Sequence, residues 1–305
     1  MARPTLPAFS LFAPPYREYL PFDPDEGFPT NPEVLWGVAL VWSLAEGHAP
    51  RDLDLVAERP GGLPVMLILP PADSLRRLRS KVLEAVEDTR PQSVLPHHPH
   101  PDPEEMAHLL VQEPASLSGE LVDYLMWRGM YLDREMRQMV RRIVELSAEL
   151  RTLTALARGV YLSRRALGRR FRSRGLPVPS NWLQFCRVLR ATMKMQGSGR
   201  SVHDAARALG YPDGFTLSNQ MDRLVGVRPS VARERLGWEW IVEAWLQAEA
   251  RKGGMTLRLR GLGSEPPSSS EFSGGTPSQE IPRLVEGREQ RKLLDPGDSV
   301  PSDMV

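Results

Sequence analysis

The spacing of apolar side chains changes several times along the chain. Over residues 1–32 Phe9, Phe12, Tyr16, Phe22 and Phe28 are scattered among prolines with no steady repeat, which predicts an irregular N-terminal arm. From Glu33 the pattern tightens. The runs Leu35–Trp42 and Leu63–Pro70 are short, apolar and bounded by Pro or Gly, and both read as buried strands. After the second, Leu75, Leu78, Val82, Leu83 and Val86 recur at helical spacing, with Asp73 or Ser74 as N-cap and Pro91 as the stop. Ser93–Pro96 reads as a third strand. The order strand, helix, strand, helix, strand predicts a small α/β domain with a parallel sheet over residues 33–118.

Glu105–Val111 and Gly119–Leu146 read as helices, the second forming a connector over residues 119–150. Its apolar positions Leu121, Tyr124, Leu125, Trp127, Met130 and Leu132 are too dense for a solvated surface, so packing between domains or against another subunit is expected. An all-helical domain follows over residues 151–250, closed by the amphipathic Gly237–Leu246, which is expected to cap its core, with a partner-binding helix as the alternative. From Gly253 onward Gly, Pro, Ser and charged residues dominate, and residues 251–305 are expected to form a disordered tail. The fold class is therefore α+β: a small α/β N-terminal domain, then an all-α domain.

At 305 residues, 41% hydrophobic and 25% charged, the chain suits a globular protein of two modest domains. No apolar run approaches the ~20 residues of a membrane span, and the proline-broken N-terminus does not read as a secretory signal. One cysteine, Cys186, makes no internal disulfide and no metal-binding pair, so a reducing cytoplasm is the expected location. The formal net charge of +1 hides an asymmetry. Residues 1–140 carry 12 basic and 21 acidic side chains, a net of −9, and residues 236–305 a net of −3. Residues 141–235 carry 19 basic and 6 acidic side chains, a net of +13, which is an electrostatic footprint suited to nucleic acid.

The α/β unit resembles a phosphoacceptor receiver domain in outline, but the chemistry is missing. A receiver needs carboxylates at the strand ends, whereas here the first strand runs into Trp42 and Ser43 and the second ends in Pro70 and Pro71. The unit is expected to be a degenerate, receiver-like scaffold. It has no Gly-rich phosphate loop, Ser/His/Asp set or carboxylate pair, so an enzyme is not expected, nor any cofactor. His97, His98 and His100 lie among prolines with no second cluster to complete a coordination sphere, so they read as incidental loop residues and no metal is expected.

Inside the basic stretch two segments repeat one plan. In Leu153–Ser180 a short helix ending near Arg158 turns into a second helix capped by Ser163. Ala157 permits a close crossing, while Leu162, Leu167 and Phe171 fill the interface. Arg164, Arg165, Gly168, Arg169 and Arg172 then face outward. In Ser201–Ser230, Ala206 takes the crossing, Gly210 the turn, and Asp213 caps a helix with Phe215, Leu217 and Met221. Between them Trp182, Phe185, Leu189 and Met193 stripe a helix of about 16 residues, roughly 24 Å long, which sets the two copies about one DNA turn (~34 Å) apart.

This arrangement resembles the DNA-binding domain of the AraC family of transcription regulators over approximately Val144–Leu236. The resemblance is carried by LARGVYLSRRALGRRFR, by AARALGYPDGFTLSNQMDRLVGVRPS and by the closing Gly226, Pro229 and Ser230. It implies base reading by Arg165, Gly168 and Arg169, with Ser163 and Arg172 toward phosphates, and base reading by Thr216, Ser218 and Asn219 in the second helix. Two departures matter. Tyr161 stands where the first turn usually has glycine, with Gly159 expected to relieve it. Asn219, Met221 and Asp222 replace a basic pair and a Phe, so the first motif should dominate affinity, while the second either contributes little or reads bases through Asn219 and Gln220. Arg164, Arg170 and Arg174 either touch DNA or keep their helix soluble. Phe171, Trp182, Phe185, Phe215 and Cys186 are expected in the core, with the thiol inert.

The expected function is a sequence-specific regulator of transcription that binds double-stranded DNA. The N-terminal domain is expected to hold a homodimer or protein-partner surface. The alternative is a protein–protein adaptor whose helix-turn-helix fold has lost or weakened DNA binding.

Overall fold

A computed structural model describes residues 6–45 and 50–255. The expected tail therefore lies, from residue 256 on, outside the described residues. Five strands form one sheet in the order β2-β1-β3-β4-β5: β1 (Phe9–Phe12), β2 (Tyr19–Pro21), β3 (Ala39–Ser43), β4 (Val65–Ile68) and β5 (Ser93–Leu95). The parallel sheet read from the sequence is its β3–β4–β5 part, and β1 and β2 add to it antiparallel. Part of the expected irregular arm is thus strand. Its signal was unreadable locally, because Phe9 gains its place only across the sheet, stacked on Trp42 with ring centroids 6.0 Å apart.

Helices cover both faces of the sheet. On one side α1 (Pro50–Ala57), the single turn α2 (Ala72–Leu75) and α3 (Arg79–Thr89) follow their strands, and Val56 and Ala85 meet Phe9, Leu40, Trp42, Val65 and Leu67. On the other side α4 (Pro103–Val111) sets Met106 and Leu110 against Phe12, Val41, Met66 and Ile68. Coverage on both faces explains why β3 and β4 read as unbroken apolar runs. The helix expected from Leu75 on is split. Leu78 precedes α3, Leu83 is exposed, and neither Asp73 nor Ser74 caps it.

The rest is helical: α5 (Leu117–Trp127), α6 (Arg134–Leu146), α7 (Leu153–Gly159), α8 (Arg164–Arg172), α9 (Pro179–Gly197), α10 (Val202–Ala208), α11 (Gly214–Val225), α12 (Pro229–Glu234) and α13 (Glu239–Arg251). One apolar cluster runs through all of them. Leu121, Tyr124, Leu125, Met130 and Leu132 are buried inside it, so the chain itself covers the apolar helices that suggested another subunit. α13 is buried over nearly its whole length, and Trp245 stacks on Phe185 with centroids 4.1 Å apart.

A buried polar seam joins the α/β part to these helices. Arg128 Nη2 donates to Glu243 Oε1 at 2.7 Å, and Tyr124 donates to Glu243 Oε2 at 3.0 Å while accepting from Gly62 N–H. Arg90 donates to Glu239 at 2.5 Å and to Glu120 at 2.8 Å. Arg59 is wholly buried, donates to the carbonyls of Val56, Leu63 and Thr89, and lies 4.2 Å from the centre of the Trp127 ring. Each charge brought into the interior thus has a partner, as its desolvation demands.

Candidate nucleic-acid interface

The first unit is built by local rules. Thr152 caps α7 by accepting from Ala155 N–H. Val160 then leaves the helix, Tyr161 adopts φ +57°, and Leu162 N–H donates back to Ala157 O at 2.9 Å. Ser163 accepts from Ala166 N–H at 3.1 Å and starts α8. Leu167 and Phe171 are buried, and the Phe171 ring meets Trp182 edge-on at 6.3 Å. The opposite side of α8 faces water: Ser163, Arg164, Arg165, Arg169 and Arg172 are exposed and Gly168 is half-buried.

Ion pairing separates the arginines of this helix. Arg170 pairs with Glu135, and Arg174 pairs with Asp133 at 2.8 Å, both carboxylates standing at the start of α6. Arg164, Arg165, Arg169 and Arg172 have no carboxylate partner among the described residues. Elsewhere in the basic stretch Arg187 is buried, donates to Leu209 O at 2.7 Å and covers the Tyr211 ring, while Arg190 donates to Val144 O. Part of the basic charge therefore holds the fold together, and the unpaired charge of α8 is concentrated on its outer face.

The second unit repeats the turn. Ser201 caps α10, Gly210 takes φ +68°, and Tyr211 N–H donates to Ala206 O at 2.9 Å. Its loop is one residue longer, so the caps Ser163 and Asp213 are 50 residues apart where Ala157 and Ala206 are 49 apart. Asp213 accepts from Thr216 N–H at 2.7 Å, and that bond holds its carboxyl below the usual carboxylate range. α11 ends on Gly226 at φ +69°, and Pro229 opens α12, which gives the Gly-x-x-Pro-Ser ending its physical meaning. The 19 residues of α9 join the two units.

Two expectations fail here. Phe215, expected in the core, is 74% exposed. The buried stripe of α11 is Leu217, Met221, Leu224 and Val225, and position 215 falls off it, which helical arithmetic alone could have shown. Gly159 does not relieve the first turn. It lies inside α7, where an added Cβ would meet Leu146 Cδ1 at 2.8 Å, and Tyr161 itself takes the left-handed conformation with its ring 95% exposed. Phe171, Trp182, Phe185 and Cys186 are fully buried, and burial pushes the Cys186 thiol up to about 12.

The second helix offers less polar surface than its sequence suggested. Ser218 donates to Gly214 O at 2.8 Å, and Thr216 is engaged with Asp213. Asn219 is exposed and Gln220 half-buried, and Asp222 faces water. His97 and His98 are exposed on the loop after β5, and among the described residues no group of three His, Cys, Asp or Glu is arranged to hold a metal. No helix among them is long and apolar enough to cross a membrane.

Residues 156–235 match a family described as a helix-turn-helix domain, which covers both units from within α7 to the end of α12. A comparison with curated proteins returns no match, and neither does one with solved structures. The chain therefore carries a C-terminal helix-turn-helix domain of the AraC type, a DNA-binding module of transcription regulation, on an α+β frame.

Proposed function

We propose that this chain is an AraC-family regulator of transcription that binds duplex DNA through both helix-turn-helix units and catalyses nothing itself. The observation that carries this reading is the sorting of the α8 arginines. Arg170 and Arg174 are tied to α6, while Arg164, Arg165, Arg169 and Arg172 stand exposed on the face opposite Leu167 and Phe171. That face fits the major groove, with Arg165 and Arg169 at base edges, Gly168 allowing close approach, and Arg172 and the free Ser163 hydroxyl hydrogen at phosphates. Thr216, Ser218, Asn219 and Gln220 complete the contact from α11. The domain borders we assign are 33–118, 119–150 and 151–250, with β1 and β2 of residues 9–21 joining the sheet of the first, in a cytoplasmic protein. The β3–β4–β5 part serves as a degenerate, receiver-like scaffold without a phosphoryl switch.

The test is a titration of purified protein against fluorescent duplexes at several salt concentrations. Affinity should fall steeply with salt, as neutralised phosphates release counterions. Arg165→Ala with Arg169→Ala should abolish sequence preference. Binding that ignores salt, or no binding, overturns the reading. A homodimer or protein contact through the N-terminal part belongs to the same proposal, and the net −9 charge of residues 1–140 favours a basic partner over a second, like-charged copy. Light scattering showing a monomer at micromolar concentration removes the homodimer.

A second reading, an adaptor with weakened DNA binding, is favoured by one observation. Asp222 faces water on α11, where it would repel a phosphate.

A further inference from the structure

The two units match residue for residue from their caps onward at an offset of 50. Leu167 and Phe171 correspond to Leu217 and Met221, and all four are buried. The outward positions of α8, Arg165, Arg169 and Arg172, then correspond to Phe215, Asn219 and Asp222 on α11. At 100° per residue each set of three falls within an arc of about 60°. One helix presents three guanidinium groups there, and the other a phenyl ring, an amide and a carboxylate.

This composition is ill-suited to phosphates. Arg223, the single cation of α11, is bonded to Gln184 Oε1 at 2.8 Å. Two of its three groups, the phenyl ring and the amide, suit one kind of base pair. In the major groove the apolar group on the base edges is the C5-methyl of thymine, and a carboxamide pairs in bidentate fashion with adenine N6 and N7. Phe215 is 74% exposed, whereas the rings of Phe171, Trp182 and Phe185 are wholly buried. It follows Gly214, which has no side chain to shield it. Asn219 is exposed, one turn further along the same stripe, and its amide has no partner among the described residues.

We propose, resting on the DNA-binding reading above, that the recognised site is bipartite in chemistry. α8 reads a guanine-containing block through Arg165 and Arg169. About one helical turn away, α11 reads an A·T block, with Phe215 against a thymine methyl and Asn219 on an adenine. Phe215 is a specificity-determining residue of the second unit.

Selection of bound fragments from random duplexes with the full chain should yield both blocks. Deoxyuridine is then placed at each thymine of the A·T block, which removes the methyl and leaves pairing intact. One substitution should weaken binding of the wild-type protein about fourfold, the value of burying a single methyl. Phe215→Ala should bind the thymine and uracil duplexes equally, at the weaker level, with an unchanged melting temperature because the ring is exposed. Deoxyuridine in the guanine block should change nothing. If selection returns no A·T block, if uracil is tolerated throughout it, or if Phe215→Ala keeps full thymine preference, the inference is overturned while DNA binding by α8 stands. Absence of any salt-dependent duplex binding overturns the DNA-binding reading itself.

Discussion

Tyr161 and Gly210 occupy the same turn in two copies of one unit, and both hold left-handed backbone, at φ +57° and +68°. In each copy the next residue donates its N–H to the crossing alanine, Leu162 to Ala157 O and Tyr211 to Ala206 O, both at 2.9 Å. The turn geometry is therefore set by the helix crossing, and the residue type adapts to it. A non-glycine residue pays for this conformation with about 1–2 kcal/mol of crowding between Cβ and the carbonyl.

Tyr161→Gly should stabilise the fold, because the tyrosine ring is 95% exposed and gives up no packing. The gain should be at most about 1 kcal/mol, since glycine adds entropy to the unfolded chain. Gly210→Ala should go the other way by more than about 1 kcal/mol, because the strain is joined by contact with the Arg151 guanidinium. Urea unfolding of the two variants checks both signs. Equal shifts would show that the turns are not equivalent.

The seam makes a different prediction. Arg128 and Glu243 have side chains only 2% and 1% exposed, so neither charge can recover water if the other is lost. Arg128→Met should cost about 3–5 kcal/mol by leaving a carboxylate unpaired in the interior. Arg128→Met with Glu243→Leu should recover much of that loss. A double variant no better than the single one would place the cost in packing instead of charge. Denaturant midpoints with unchanged slopes decide the matter.

The same contrast explains what was legible in the sequence. Leu167 and Phe171 announce a helix face by spacing alone, and Ser163 and Asp213 announce its start, so both helix-turn-helix units were readable. β3 and β4 were readable as apolar runs. β1 was not, since Phe9 and Phe12 acquire partners only through β3, some thirty residues on. The seam was not readable either, because nothing local links Arg128 to Glu243, 115 positions away. The sorting of Arg170 from Arg169 depends on α6, and Phe215 reads as core by its aromatic ring but lies off the buried stripe of its own helix.

Gly168 allows fold and interface to be separated. A Cβ added there meets nothing within 4 Å, so the position is open. Gly168→Ala should stabilise α8 by up to about 1 kcal/mol, as alanine replaces glycine inside a helix. Gly168→Leu should leave the melting temperature near that of the alanine variant but weaken duplex binding at least tenfold, by blocking close approach of the backbone. Unchanged DNA affinity in Gly168→Leu would mean that this side of α8 does not face the groove.

Asp213 ties the second unit to pH. The Thr216 N–H donates to its carboxylate, and its pKa is held below the ordinary value. A carboxylate with a depressed folded pKa stabilises fully above its unfolded value, near pH 4, and the contribution fades as pH falls through the folded value. Asp133 and Asp204 are lowered in the same direction, by the Met136 N–H and by the Ser201 hydroxyl respectively, so they add to the same acid limb. Asp213→Asn keeps an oxygen acceptor for Thr216 and removes the titration. At pH 7 the variant should unfold at nearly the wild-type urea concentration, and between pH 5 and pH 3 it should lose less stability than the wild type. Equal losses on acidification would show that the charge of this cap contributes nothing. A large loss already at pH 7 would show that the charge, and not the acceptor geometry, holds the start of α11.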